Sequence, residues 1–318
     1  MMESKLKKLY NNVVSQAIST SGKFLFAGNV FSDIFVFEIN EILNSLDEPQ
    51  QPKIYPQNAG LISSLEFHND FLIVGGKGSI YGLKFNESTN ELSKDKSWEV
   101  FLAEGKSVNY FWLNKADNDL FAGCDNNIIY QVSLEDGRVV RKFEGHKDFI
   151  HCLTGSDDQI YSASQDGTLK IWDPRENGFI HEIEPQKKHE LKRPEFGGFL
   201  GSCAISNDWL ICGGGPKLSL WNTKTLEYSP IDFGFPGKIH CSYFIDDNIV
   251  IGGTHPSVQI YSINGDLKYD LPVENSPAIY SIVFQTEPQK IMTLAGYSNQ
   301  LNVLSDFRYV DIILDLYK

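Results

Sequence analysis

The chain is 318 residues long, 42% hydrophobic and 13% aromatic, with 28 Lys and Arg against 41 Asp and Glu and a net charge of −13. That length suits one large all-β domain or two ordinary ones, and the composition supports a large core. The acidic balance disfavours direct, non-specific binding to a nucleic-acid backbone. The five cysteines, Cys124, Cys152, Cys203, Cys212 and Cys241, form no CxxC and read as buried, reduced small hydrophobes of an intracellular protein. The opening MMESKLKKLY lacks the apolar stretch of a signal peptide. No apolar run approaches a membrane span, so a soluble chain of the cytoplasm or nucleus is expected.

In chain order, residues 1–12 read as an N-terminal extension. Leu6, Leu9 and Tyr10 fall at helical spacing there and predict a short helix. Residues 13–318 read as strand after strand. Apolar runs closing on a small residue recur at Gly28, Gly75, Gly123, Ala163, Gly213, Gly252 and Ala295, 39 to 50 residues apart. Eight to ten residues beyond each anchor an apolar or aromatic residue precedes a polar one. These pairs are Phe37-Glu38, Phe85-Asn86, Val132-Ser133, Trp172-Asp173, Trp221-Asn222, Tyr261-Ser262 and Leu304-Ser305. Two features agreeing at seven anchors predict seven repeats.

The runs before the anchors read as innermost strands, expected to be apolar on both faces: 13–19, 61–67, 108–113, 149–153, 200–205, 239–244 and 279–284. Turns are expected at Asn118-Asp119, Asp157-Asp158, Asn207-Asp208 and Asp246-Asp247. Residues 187–198, KKHELKRPEFGG, read as a charged insertion between repeats four and five. The terminal RYVDIILDLYK reads as a last outer strand, so that the seventh repeat is built either from C-terminal residues alone or with Leu6 to Tyr10 as its closing strand.

The fourth repeat is the most explicit. Gly145 to Pro174 opens on Gly-His, turns at Asp166-Gly167 and ends in Trp-Asp. It resembles one WD40 repeat, and the spacing of all seven anchors is that of WD40 units. The resemblance implies an all-β, seven-bladed WD40-type β-propeller. It also implies that His146, Ser162, Asp166 and Trp172 form a hydrogen-bonded chain within one blade, a structural role rather than a catalytic one.

The fifth repeat narrows the family. Arg193-Pro194, the small strand Gly201 to Ile205, Asp208-Trp209, CGGGP at Cys212 to Pro216 and Leu220-Trp221 follow in order. With SGKFLFAGN at Ser21 to Asn29 and the GHKDFIHCL and DGTLKIWDPR runs of repeat four, they resemble the THO complex subunit 6 family. That resemblance implies a non-catalytic scaffold of the nuclear THO/TREX assembly, which couples transcription to mRNA packaging and export. Its implied partners are other THO subunits, a coiled-coil pair first among them, with a contribution to higher oligomers. It implies no cofactor and no small-molecule substrate.

Sharper chemistries find less support. His151-Cys152 and His240-Cys241 offer zinc-ligand types, but neighbours on a strand point to opposite faces. Gly213 to Pro216 lacks the Lys-Ser/Thr and helix of a phosphate loop and reads as a tight turn. The basic string Lys187 to Arg193 reads as a solvated loop. No GxSxG, HExxH or convergent acid, base and nucleophile is present, so no enzyme is expected. The alternative function rests on Trp172-Asp173-Pro174-Arg175, which resembles the WDxR motif of cullin-RING substrate receptors. Asp173 and Arg175 would then contact a ligase adaptor.

Partner binding is expected at the rim formed by the starts of the innermost strands. Aligned on Phe149 and His151, that rim comprises Leu61, Ser63, Ser107, Asn109, Leu200, Ser202, Lys238, His240 and Tyr280. Such a set supplies the apolar and aromatic residues typical of interface cores.

Overall fold

The computed structural model describes residues 2–44, 50–57, 60–102, 106–156 and 158–317, with side chains from residue 5 onward. Asp157, half of one expected turn, lies outside them. Among the described residues the strands form seven four-stranded sheets, each a meander of consecutive strands. The first strands are Val13–Ile18, Ser64–His68, Val108–Asn114, Ile150–Gly155, Leu200–Ser206, Ile239–Ile245 and Ile279–Gln285. The seventh sheet borrows nothing from the N-terminus; its outer strand, Ile312–Asp315, pairs with Gln300–Leu304.

Local chemistry explains the meanders. The second strand of the first sheet, Phe24–Asn29, is buried along its whole length, while the fourth-sheet outer strand, Phe179–Ile183, buries only its last residue. The turns joining first to second strands place Asn69, Asn118, Asn207 and Asp246 at φ between 51° and 57°. Asn and Asp tolerate that left-handed region better than other side chains do. The recurrent anchor glycine has a packing cause. A Cβ on Gly123 would lie 2.6 Å from Ile150 Cγ2, and one on Gly213 would lie 2.8 Å from Ile239 Cδ1. These two anchors therefore make room for the first residue of the next sheet.

The chain divides into two compact units, Met1–Gly105 with Leu271–Lys318, and Lys106–Asp270. The first unit holds sheets one, two and seven. Phe26 stacks on Phe67 at 5.2 Å and meets Phe85 edge-on at 5.0 Å, locking sheet one to sheet two. Leu25, Phe35, Leu301 and Leu314 lie in one core cluster of sheets one and seven. An N-terminal helix, Met2–Tyr10, is tied to this unit by polar contacts. Lys7 Nζ reaches Asp33 Oδ2 at 2.6 Å, and the Tyr317 hydroxyl donates to the same carboxylate. Asn29 Nδ2 donates to both Tyr317 and Asn11, each at 2.8 Å.

The second unit holds sheets three to six; the outer strand of sheet six, Leu267–Pro272, runs across its boundary. Its core again lies between sheets. Phe121, Phe143, Ile150 and Trp172 join three to four; Tyr161, Leu169, Leu200 and Trp221 join four to five; Leu220, Phe233, Ile239 and Tyr261 join five to six.

Two expectations need correction here. The innermost strands are not apolar on both faces. Ser202 and Ser242 are buried, with their hydroxyls 2.7 Å apart, and the buried Gln16 donates to Ser281 O at 3.1 Å. Small polar groups are tolerated there because each finds a partner in the adjacent sheet. Nor is the string 187–193 a solvated loop throughout. Residues 185–196 fold into three 3₁₀ turns, Pro185–Lys187, His189–Leu191 and Pro194–Phe196, with Leu191 buried. Arg193 is buried as well, its Nε donating to Gly215 O at 2.8 Å and its Nη1 to Phe235 O at 2.9 Å. Its Nη2 donates to Gly214 O at 3.1 Å and Pro216 O at 3.0 Å. The insertion is a strap, pinned by a guanidinium among carbonyl dipoles.

Candidate protein-docking surface

In the fourth sheet His146, Ser162, Asp166 and Trp172 meet in one hydrogen-bonded chain. Trp172 Nε1 donates to Ser162 Oγ at 2.8 Å, and Ser162 Oγ lies 2.7 Å from His146 Nε2. His146 Nδ1 is 2.8 Å from Asp166 Oδ2, which also accepts from Lys147 N at 2.8 Å. Thr168 Oγ1 donates to Asp166 Oδ1 at 2.7 Å. Every member is satisfied, so burial leaves no orphan. Burial by itself would raise the Asp166 pKa, but the bonds from His146, Lys147 and Thr168 outweigh it and hold the carboxyl well below the usual carboxylate range.

A depressed pKa has a defined consequence. The contribution of Asp166 to stability is complete above the unfolded-state value of about 3.9 and is lost as pH falls below it towards the folded value. Melting temperature between about pH 5 and about pH 3 is therefore expected to fall less in Asp166→Asn than in the wild type. Parallel pH profiles would contradict the network.

The rim residues begin the innermost strands, and a bulge organises them. In the fourth sheet Ile150 pairs with Ser164 and Cys152 with Ala163, leaving His151 as the extra residue. The same irregularity isolates Asn109, His240 and Tyr280. A bulge re-aims one side chain out of the ladder. In the fifth sheet Leu200 pairs with Gly214 and Ser202 with Gly213, so the bulged residue is Gly201.

The expected alignment is therefore one residue off in that sheet. Leu200 and Ser202 are buried and cannot meet a partner; the residue equivalent to Phe149 is Phe199. The cause is steric. A Cβ on Gly201 would sit 2.4 Å from the Ile239 carbonyl oxygen, so no side chain marks the bulge.

With that correction, four residues of the second unit form one row. The Phe199 ring lies 6.1 Å from His151, edge-on, and 6.4 Å from His240, stacked. Lys238 Nζ lies 5.9 Å from the Phe199 centroid. His151 Nε2 is 2.9 Å from Gln165 Oε1, and Asn109 Nδ2 donates to Ile150 O at 3.0 Å. Phe149, two residues before His151 in the chain, is 46% exposed. Burial, then the neighbouring His151 and Lys238, push the His240 pKa down to about 4, so its imidazole is neutral near pH 7. Ser107 is half-buried. In the first unit Leu61 is exposed, while Ser63 and Tyr280 are half-buried.

Among the described residues no group of three or more His, Cys, Asp or Glu side chains is placed to hold a metal ion. Cys152 is buried while His151 is half-exposed, as expected for neighbours on one strand. Arg175 forks back onto Asp173, with Nε and Nη2 at 2.8 and 2.7 Å from its two oxygens. Those bonds draw the Asp173 pKa down to about 2.

Seven four-stranded meanders, one carrying the complete His–Ser–Asp–Trp chain, define a seven-bladed WD40-type β-propeller. The family model for the WD domain, G-beta repeat, matches residues 137–173. The WD40 β-propeller domain of Doa1 superposes with a TM-score of 0.74 over 92% of each chain at 15% identity, a likeness of fold alone. THO complex subunit 6 of Drosophila melanogaster is 44% identical over the whole chain and 93% of its own length. The homologue from Danio rerio is 30% identical, covering 95% of this chain and 96% of that one. The Homo sapiens protein is 28% identical, covering 96% and 92%. The chain belongs to the THO complex subunit 6 family.

Proposed function

We propose that this chain is a non-catalytic scaffold subunit of the THO/TREX assembly, acting in the nucleus through protein contacts that serve mRNA packaging and export. The observation that carries the reading is the exposed Phe149 together with the His151–Phe199–His240 row. Its rings pack on one another and His151 already holds a bond to Gln165, so an apolar partner surface covers them at modest cost in desolvation. The partner class is a helical coiled-coil pair of THO subunits, as in the family resemblance. RNA is not the ligand, because the chain carries a net charge of −13.

The test is capture of THO subunits by the chain carrying Phe149→Ala and Phe199→Ala. Affinity is expected to fall by about 2 kcal/mol or more, roughly 30-fold, as for truncated aromatic hot spots. Circular dichroism checks that the sheets persist. Undiminished capture by a folded double variant would move the interface to another surface.

A further inference from the structure

The aromatic row lies where the innermost strands begin. At the opposite end of sheets four and five, where those strands finish, a pocket of about 470 Å³ opens in the second unit. Its inner wall is apolar: Tyr161 and Ile171 are buried, and Ile205 and Leu226 are half-buried. Two exposed carboxylates, Asp158 and Asp208, also line it, together with Lys224 and His181. We propose that this pocket binds an arginine side chain from a basic peptide segment.

The shape and charge each support that occupant. An apolar wall with carboxylates beside it matches a side chain whose stem is hydrocarbon and whose head is cationic. The chain already rehearses the contact with its own cations. Lys224 Nζ lies 2.8 Å from Asp208 Oδ1, and Arg175 Nη1 lies 3.7 Å from Asp158 Oδ1. Both pairs are solvent-exposed, and such pairs contribute only about 0–1 kcal/mol. An incoming arginine therefore displaces them readily. Arg175 loses little by leaving Asp158, because Asp173 holds it by two further bonds.

The surrounding field points the same way. The first-to-second strand turns of the second unit carry Asp117, Asp158, Asp208, Asp246 and Asp247. Asp119 titrates high, first because it is partly buried and then because Asp117, Glu135 and Asp136 crowd it, despite a bond from Gln131. A surface of one sign raises the local concentration of the opposite one. An anionic ligand is repelled here, and a metal ion lacks a third ligating group among the described residues.

Fluorescence anisotropy on the full chain at physiological salt tests the proposal. The probe is a labelled peptide of alternating arginine and alanine, with a second peptide carrying neutral citrulline in place of arginine. The arginine peptide is expected to bind saturably and the citrulline peptide not at all. Asp158→Asn with Asp208→Asn should weaken binding by about tenfold or more, or 1.4 kcal/mol. The charge-matched pair Asp246→Asn with Asp247→Asn should change it less than about twofold. Thr223→Trp, which fills the pocket from its wall, should abolish binding while leaving the net charge unchanged. Equal losses in the two aspartate pairs would show a diffuse field and overturn the pocket. So would normal binding by a folded Thr223→Trp, or no saturation up to about 1 mM peptide. If Thr223→Trp fails to fold, the comparison of the two aspartate pairs still decides.

Discussion

Trp172→Ala is expected to destabilise the chain by about 3–5 kcal/mol and to cut soluble expression sharply. Trp172 is among the largest fully buried side chains in the structure. Its ring meets Phe143 and Phe179 edge-on, each at a centroid distance of 5.9 Å. Truncation removes that packing and leaves a cavity where surrounding strands are held in their ladders. It also takes the indole donor from Ser162 Oγ, which then keeps its link to His146 and a long bond to Lys170 O at 3.5 Å. The two losses separate by substitution. Trp172→Phe keeps most of the packing and drops the donor, so it should cost about 1–2 kcal/mol, the scale of one buried hydrogen bond and a smaller ring. Urea unfolding followed by near-ultraviolet circular dichroism reads both. A Trp172→Ala midpoint equal to wild type would refute the network as a source of stability.

The second large effect is expected at Arg193. Four carbonyls, from Gly214, Gly215, Pro216 and Phe235, receive its guanidinium and no carboxylate does. Replacing it by leucine takes the side-chain donor from all four buried oxygens, of which Pro216 O keeps a bond from Gly214 N. Bonds to a charged donor are worth about 1.5–3 kcal/mol each but do not add fully, so a loss of about 3 kcal/mol or more is expected. Arg193→Lys should recover less than half of this. Lysine keeps the charge but cannot aim five fixed donors from one plane. The strap at 185–198 should also become more protease-sensitive, since Arg193 bonds it to Gly214, Gly215 and Pro216, leaving Leu191 as its other anchor. Limited proteolysis checks that. Wild-type stability in both variants would mean the strap docks without the guanidinium.

Much of the fold is legible in the sequence, and the reasons are local. The anchors at Gly123 and Gly213 are glycine because a Cβ there would collide with Ile150 and Ile239, the first residues of the next sheets. The turns repeat as Asn or Asp because the chain passes through positive φ there. The chain of His146, Ser162, Asp166 and Trp172 is spelled within one repeat, so no long-range knowledge is needed to place it.

What is not legible depends on partners that carry no residue code. Arg193 reads as one more cation in KKHELKR, because backbone carbonyls from two other loops are invisible in a sequence. The row around Phe199 is displaced by one because the fifth-sheet bulge falls on Gly201, where the other sheets place His151, His240 or Tyr280. A cue was available: Phe199 precedes an apolar residue as Phe149 does. The buried hydroxyls of the innermost strands, such as Ser202 and Ser242, depend on the neighbouring sheet for satisfaction. The pocket at Asp158 and Asp208 likewise needs two turns from different sheets.

The central claim is that the chain works by holding other THO subunits. Its most direct measurement is affinity purification of the tagged, full-length chain from nuclear extract at physiological salt, with mass spectrometry of what remains bound. The account predicts recovery of the other THO subunits, the coiled-coil pair foremost, with their loss from the Phe149→Ala, Phe199→Ala variant. Recovery of a cullin-RING ligase adaptor without any THO subunit, abolished by Arg175→Ala, would contradict it.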